Sequence, residues 1–192
     1  MKKIETELKD CYILEPDRFG DDRGYFSPFY INKNMTNNNI KFGNVVQCNR
    51  SKSAKGVVRG LHFQKNPKCQ AKLVEVIQGS AIDVVVDIRV DSPSYGKHIC
   101  VLLTPENNRQ LFVPRGFAHG FISLEDNTIF QYLIDNDYAP DMEGGILWND
   151  SELGIEWEEM FEKYGIDKPL LSDKDQKHLT LSKSPKYFTM ED

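Results

Sequence analysis

Residues 72–88 read Lys72-Leu73-Val74-Glu75-Val76-Ile77-Gln78, then Gly79-Ser80, then Ala81-Ile82-Asp83-Val84-Val85-Val86-Asp87-Ile88. The first run alternates between polar and apolar residues, and Gly79-Ser80 turns the chain. In the second run, strand geometry puts Asp83, Val85 and Asp87 on one face and Ile82, Val84, Val86 and Ile88 on the other. The same texture of short β-branched and aromatic runs broken by turns extends from about Val45 to Leu133. It predicts further strands over Ile99–Leu103, Gln110–Val113, Gly120–Leu124 and Thr128–Ile134, with a turn at Asp91-Ser92-Pro93-Ser94-Tyr95-Gly96. No helix-length amphipathic segment interrupts the region. Even spacing without crossover helices favours an antiparallel sandwich or barrel over a parallel α/β sheet.

The flanks differ. Cys11–Leu14 reads as a strand, and Phe19-Gly20-Asp21-Asp22-Arg23-Gly24-Tyr25-Phe26 is a dense run of aromatic, charged and glycine residues. Asn34–Asn39 is expected to be a polar loop, Glu156–Tyr164 a short helix, and the charged stretch from Ser172 onward a covering tail. There is no internal repeat and no low-complexity linker, so one domain over residues 1–192 is expected.

Composition narrows the function. The 192 residues are 40% hydrophobic and 28% charged, ordinary values for a soluble globular domain. A net charge of -5 argues against general binding to nucleic acid or anionic membranes, which need a basic surface. It leaves room for a small phosphorylated ligand held by a few arginines. The four cysteines, Cys11, Cys48, Cys69 and Cys100, show no CxxC spacing and sit in segments that read as regular, so reduced, partly buried thiols and a cytoplasmic location are expected. The opening residues carry two lysines followed by acids rather than an apolar run, which does not read as a signal peptide.

Chemistry concentrates in Arg59-Gly60-Leu61-His62-Phe63-Gln64 and in Lys72. A histidine can take a proton from carbon near neutral pH, and a nearby ammonium can hold the charge left on oxygen. A lone histidine is by default structural, and a lone strand lysine is by default solvated. The metal alternative lacks ligands: metal-binding β-barrels usually offer His-x-His, whereas Gln64 stands two after His62, and His119 is isolated. Arg23 and Arg59 each precede a glycine, where backbone can approach a ligand closely, and two such guanidinium groups suit a diphosphate. Gln47 and Asn49 share a strand face, and Tyr132 sits within a strand. Asp83, Asp87 and Asp175 are all open as the carboxylate that orients a base histidine.

Taken in order, these segments resemble the RmlC-type sugar-nucleotide epimerases, typified by dTDP-4-dehydrorhamnose 3,5-epimerase, of the cupin superfamily. The resemblance runs from Ile13 to about Leu179. It is carried by residues 19–26, 46–53, 58–64, 71–74, 83–89, 92–96 and Phe-Val-Pro-Arg-Gly-Phe-Ala-His-Gly-Phe at 112–121. It continues through Ile-Leu-Trp-Asn-Asp at 146–150, Gly-Ile-Glu-Trp at 154–157 and Leu-Ser-Asp-Lys-Asp at 171–175.

The resemblance implies an all-β fold, a cupin-type double-stranded β-helix (a jelly-roll barrel) with short flanking helices. It implies an isomerase that needs neither metal nor other cofactor. Its reaction would invert C3 and/or C5 of a nucleotide-linked 4-keto-6-deoxyhexose in rhamnose-type deoxysugar biosynthesis. His62 is then the base, Asp175 its orienting carboxylate, Lys72 the enolate stabiliser and Tyr132 the acid across the ring. Arg23 and Arg59 hold the diphosphate, His119 lines the pocket, and Phe19, Phe26, Gln47, Asn49 and Tyr138 lie near nucleotide or sugar. A homodimer is implied, with a segment of about residues 1–35 exchanged so that residues 19–28 complete the neighbour's site.

One departure stands out. Ser27-Pro28 replaces the x-Glu that usually follows the Arg-Gly-x-Phe run and faces the nucleotide, and proline brings neither a carboxylate nor an N–H. A single-centre epimerase acting on a CDP- or GDP-linked sugar is therefore the alternative within the class. A non-catalytic cupin-like sugar-nucleotide binder is the alternative outside it. The stretch Met160–Lys168 reads as an extra loop placed to alter how Asp175 is delivered.

Overall fold

The turn at Gly79-Ser80 does not close a hairpin; it carries the chain from one β-sheet to the sheet that faces it. In the computed structural model, which describes residues 1–192, the elements follow in chain order. They begin with β1 (Lys2–Glu5), β2 (Tyr12–Glu15), β3 (Phe19–Asp21), β4 (Gly24–Phe26), α1 (Asn32–Asn37), β5 (Gln47–Ser53) and β6 (Val58–Gln64). They continue with β7 (Lys72–Gln78), β8 (Ala81–Asp87), β9 (His98–Leu103), β10 (Gln110–Val113) and β11 (Phe117–Ser123). The last are β12 (Thr128–Ile134), β13 (Glu143–Gly145) and α2 (Trp157–Tyr164). One antiparallel sheet has the order β1-β2-β10-β7-β12-β5 and the other β13-β6-β11-β8-β9. This is the expected all-β, cupin-type jelly roll.

The alternation in β8 explains how the layers are filled. Val85 joins Val74, Val76, Leu111, Phe121 and Phe130 in a cluster drawn from both sheets, and Phe121 stacks on Phe130 at 4.3 Å. Ile82, Val84, Val86 and Ile88 point the other way and pack with Trp157, Met160 and Phe161 of α2 and with Phe188 of the tail. All of β8 is buried because its sheet is covered on both faces. An eight-residue helix is too short to persist alone, so α2 exists because its apolar side is docked, each buried side chain contributing about 1.5–3 kcal/mol.

Several expectations are corrected. Asn34–Asn39 is not a loop: Asn32–Asn37 is helical because Met35 is driven into a third cluster with Leu14, Phe42 and Phe112, and that contact outweighs the poor helix propensity of asparagine. An additional strand, β1, pairs with β2, and β11 begins at Phe117 rather than at Gly120. Met160–Lys168 is not a free loop, since Met160, Phe161 and Ile166 are core residues. Cys48 and Cys100 are exposed on strands, while Cys11 and Cys69 are buried in connections; all four are free thiols. No helix is long and apolar enough to cross a membrane.

The detail that shapes the site is a bulge in β6. His119 of β11 pairs with His62, but Phe121 pairs with Arg59, so three steps on β6 match two on β11. Residues three apart normally face opposite sides; the extra residue turns Arg59 and His62 to the same side. The two backbones touch here. A Cβ on Gly60, whose φ is +119°, would stand 2.5 Å from Gly120 Cα and 2.7 Å from the His119 carbonyl. Gly60→Ala is therefore expected to lose about 3 kcal/mol or more in urea unfolding, whereas Gly20→Ala on the exposed β3–β4 hairpin stays within about 0.5 kcal/mol. Equal effects from the two would refute this account of the bulge.

Candidate active site

A cavity of about 340 Å³ opens between the sheets, lined by Gln47, Asn49, His62, Gln64, Lys72, Tyr132, Tyr138 and Glu143 among others. Gln47 and Asn49 come from β5, Lys72 from the start of β7 and Tyr132 from β12, all in the first sheet. His62 and Glu143 come from β6 and β13 in the second. The imidazole and the phenol thus reach the cavity from opposite sheets. A larger groove of about 900 Å³ lies between β9 and α2, but Glu7, Glu156, Glu159 and Glu162 line it and no acid–base set converges there.

His62 is oriented from behind. Its Nε2 lies 2.5 Å from Asp175 Oδ1, and the Ser172 hydroxyl donates to Asp175 Oδ2 at 2.8 Å. Burial raises the Asp175 carboxyl, but the hydrogen bonds from His62 and Ser172 outweigh it and hold the group below the usual carboxylate range. With Nε2–H donated to this anion, the lone pair of the neutral ring is on Nδ1. The tail delivers the carboxylate because Leu170 is fixed first: its N–H donates to the Gly56 carbonyl, and its own carbonyl accepts from Val58. Of the three carboxylates open from sequence, Asp175 alone serves His62. Asp83 Oδ1 meets His119 Nε2 at 2.7 Å, and Asp87 binds Arg89, Ser92 and Ser94.

Lys72 sits where the apolar inter-sheet cluster gives way to the cavity. Burial pushes its ammonium down to about 8, against the pull of the Asp83 and Glu143 carboxylates. Tyr132 is pushed the opposite way: burial raises its phenol, only partly offset by Arg59, so it stays protonated at neutral pH and can donate. Burial raises the Glu143 carboxyl, but Lys174 outweighs it and leaves the group ionised; Glu143 also accepts from the Tyr138 hydroxyl at 3.2 Å.

The remaining expected residues lie outside this cavity. His119 is buried behind it against Asp83, and burial keeps its imidazole below the usual range. Asp175 stands behind His62. Arg59 is exposed on the same face of β6 as His62 and donates weakly to the Ser53 hydroxyl at 3.4 Å. Phe19, Arg23 and Phe26 are on the β3–β4 hairpin, which pairs with no other strand; Phe19 and Phe26 are 61% and 68% exposed, and Arg23 is paired to Asp21. None of the three lines the cavity of its own chain.

Sequence reasoning missed Glu143, Gln64 and His178. Gln64 is fixed by donating to the Lys68 and Asp137 carbonyls, and His178 packs beside His62. The only signal for His178 was its position three residues after Asp175.

A family model described as dTDP-4-dehydrorhamnose 3,5-epimerase matches residues 5–183. The chain belongs to this family. A dTDP-4-dehydrorhamnose 3,5-epimerase of Shigella flexneri is 46% identical over 178 residues, covering 91% of this chain and 93% of that protein. The crystal structure of the Bacillus anthracis dTDP-4-dehydrorhamnose 3,5-epimerase with TDP and PPi bound superposes with a TM-score of 0.86 at 46% identity, covering 93% of this chain and 98% of the other. A Legionella pneumophila dTDP-6-deoxy-D-glucose-3,5-epimerase, solved in complex with dTDP-4-keto-L-rhamnose, gives a TM-score of 0.88 at 38% identity over 96% of this chain and 94% of the other.

The lysine in this epimerase-family cavity can be observed directly. Reductive methylation with ¹³C-formaldehyde should yield one methyl-lysine NMR signal that titrates near pH 8, cationic below and neutral above, and that is missing in Lys72→Arg. A spectrum in which every lysine titrates near the ordinary value of about 10.4 would contradict the buried ammonium.

Proposed function

We propose that this chain inverts C3 and C5 of a dTDP-linked 4-keto-6-deoxyhexose in rhamnose-type deoxysugar biosynthesis, by removing and returning protons next to the ketone. The observation that carries the reading is the His62–Asp175 pair facing Lys72 and Tyr132 across one cavity. C3 and C5 flank the ketone-bearing C4, which acidifies their protons. His62 takes one proton at Nδ1, and Asp175 stabilises the imidazolium that forms. The C–H electron pair moves to the carbonyl oxygen, where the Lys72 ammonium answers the enolate charge, an effect worth about 3–4 kcal/mol in an oxyanion hole. Tyr132 returns a proton from the opposite face and so inverts the carbon. The ketone is the electron sink, and the reaction requires no added oxidant.

The working unit of this proposal is a cytoplasmic homodimer. Its β3–β4 hairpin would leave its own chain and bring Phe19, Arg23 and Phe26 to the partner's cavity, where Arg23 joins Arg59 on the diphosphate. His119 backs the pocket, and Gln47, Asn49 and Tyr138 approach the nucleotide or sugar. Ser27-Pro28 favours a second reading for base recognition alone, in which a CDP- or GDP-linked ketosugar is preferred.

Turnover in deuterated water separates these readings. The expected product carries solvent deuterium at both C3 and C5; label at one carbon would establish single-centre inversion, and no label in any ketosugar would leave a binder. His62→Asn should lose about 10²–10⁴-fold in kcat with exchange abolished. Tyr132→Phe should still exchange protons but return them from the His62 side, giving label without inversion. A panel of dTDP-, CDP-, GDP- and UDP-linked 4-ketosugars tests the base: the highest kcat/KM is expected for dTDP, and a preference of tenfold or more (about 1.4 kcal/mol) for another would assign recognition to the Ser27-Pro28 change.

A further inference from the structure

His178 takes no part in the reaction above, yet it completes a set of donors around the base. Its ring meets that of His62 edge-on, with centroids 5.7 Å apart and planes at 76°. Its Nε2 is buried and has no hydrogen-bond partner. A buried polar atom left unpaired is uncommon and asks for an explanation. Gly145 admits the ring, since a Cβ there would stand 2.5 Å from that nitrogen. One donor atom each from His62, Asp175 and His178 lie within 4.8 Å of one another.

We propose that His62, Asp175 and His178 form a zinc site whose occupancy switches off the base. Two imidazoles and a carboxylate are a common set for this borderline-soft ion, with the fourth position open to water. Donors about 2.1 Å from a tetrahedral ion are roughly 3.4 Å apart, so His62 Nε2 and Asp175 Oδ1, 2.5 Å apart in the metal-free site, separate as the His178 side chain swings in to close the set. Binding breaks the Nε2–H bond of His62 and forms a zinc–nitrogen bond. The displaced proton passes through solvent to Nδ1, so the ring keeps its proton count and no electrons are transferred. Nδ1 then carries a hydrogen where it had a lone pair, and it can no longer accept a proton from carbon. Zinc binding is independent of the proposed reaction; only the inhibition rests on it.

The test uses the full chain carrying Cys48→Ser and Cys100→Ser, which removes the exposed thiols as competing ligands. Zinc chloride is titrated by calorimetry and cobalt(II) by its visible absorption. One ion per chain is expected, bound at least about tenfold more weakly by His178→Ala and His178→Gln, whose metal-free turnover stays within about threefold of the parent. Epimerase activity should fall in step with occupancy and return on chelation. Equal affinity in the His178 variants, or no binding at about 0.1 mM zinc, overturns the site. Zinc bound in a His178-dependent way to a chain that turns over no ketosugar would support the site and remove the reaction. Full activity at saturating zinc would overturn the switch.

Discussion

An ammonium group at the edge of an apolar inter-sheet space is tolerable only beside negative charge, and the site is built around how Lys72 obtains it. Asp83 is fully buried on the inward face of β8; one of its oxygens meets His119, and the other has no hydrogen-bond partner. An uncompensated buried charge costs several kcal/mol, so lysine, aspartate and histidine hold one another in place. Two functions are thereby separated. His119 is held behind the cavity by Asp83, and His62, on the adjoining strand and supported by a different carboxylate, faces the cavity. The incomplete compensation of Lys72 lowers its proton affinity, so its ammonium responds strongly when charge appears on a neighbouring oxygen.

Placement depends on sheets rather than loops. The cavity donors stand on β5, β7 and β12 on one side and on β6 and β13 on the other, held by ladders and by the clusters beneath them. The β6 bulge adds what regular pleating cannot, Arg59 and His62 on one face three residues apart. An imidazole and a phenol on opposite walls suit the proposed reaction, in which a proton leaves one face of a ring and returns to the other.

The strands were legible because period-two alternation survives wherever one face is buried, and β8 shows it cleanly. The strand pairing was not: Gly79-Ser80 reads as a turn whether it closes a hairpin or changes sheets. The α1 helix was hidden because its asparagines oppose it and only Met35, through tertiary contact, supports it. Within the site, His62, Lys72 and Tyr132 could be read from residue type and from family resemblance. The choice of Asp175 over Asp83 and Asp87 could not be read from local pattern, because a contact spanning 113 residues leaves no local trace. Glu143 was invisible for the same reason, and His178 was marked only by its place three residues after Asp175. The bulge that aims His62 was written only as a glycine, Gly60, whose second role against Gly120 appears once the two strands are paired.

The route by which Asp175 reaches His62 divides the molecule into two parts of unequal consequence. The sandwich holds the cavity walls; the segment after α2 lies across them, pinned at Leu170, Leu179 and Phe188. Melting that segment would free the imidazole to swing and would also uncover the apolar face that Ile166 and Phe188 help to close. Order at the far end of the chain is thereby felt at the ring that faces the cavity.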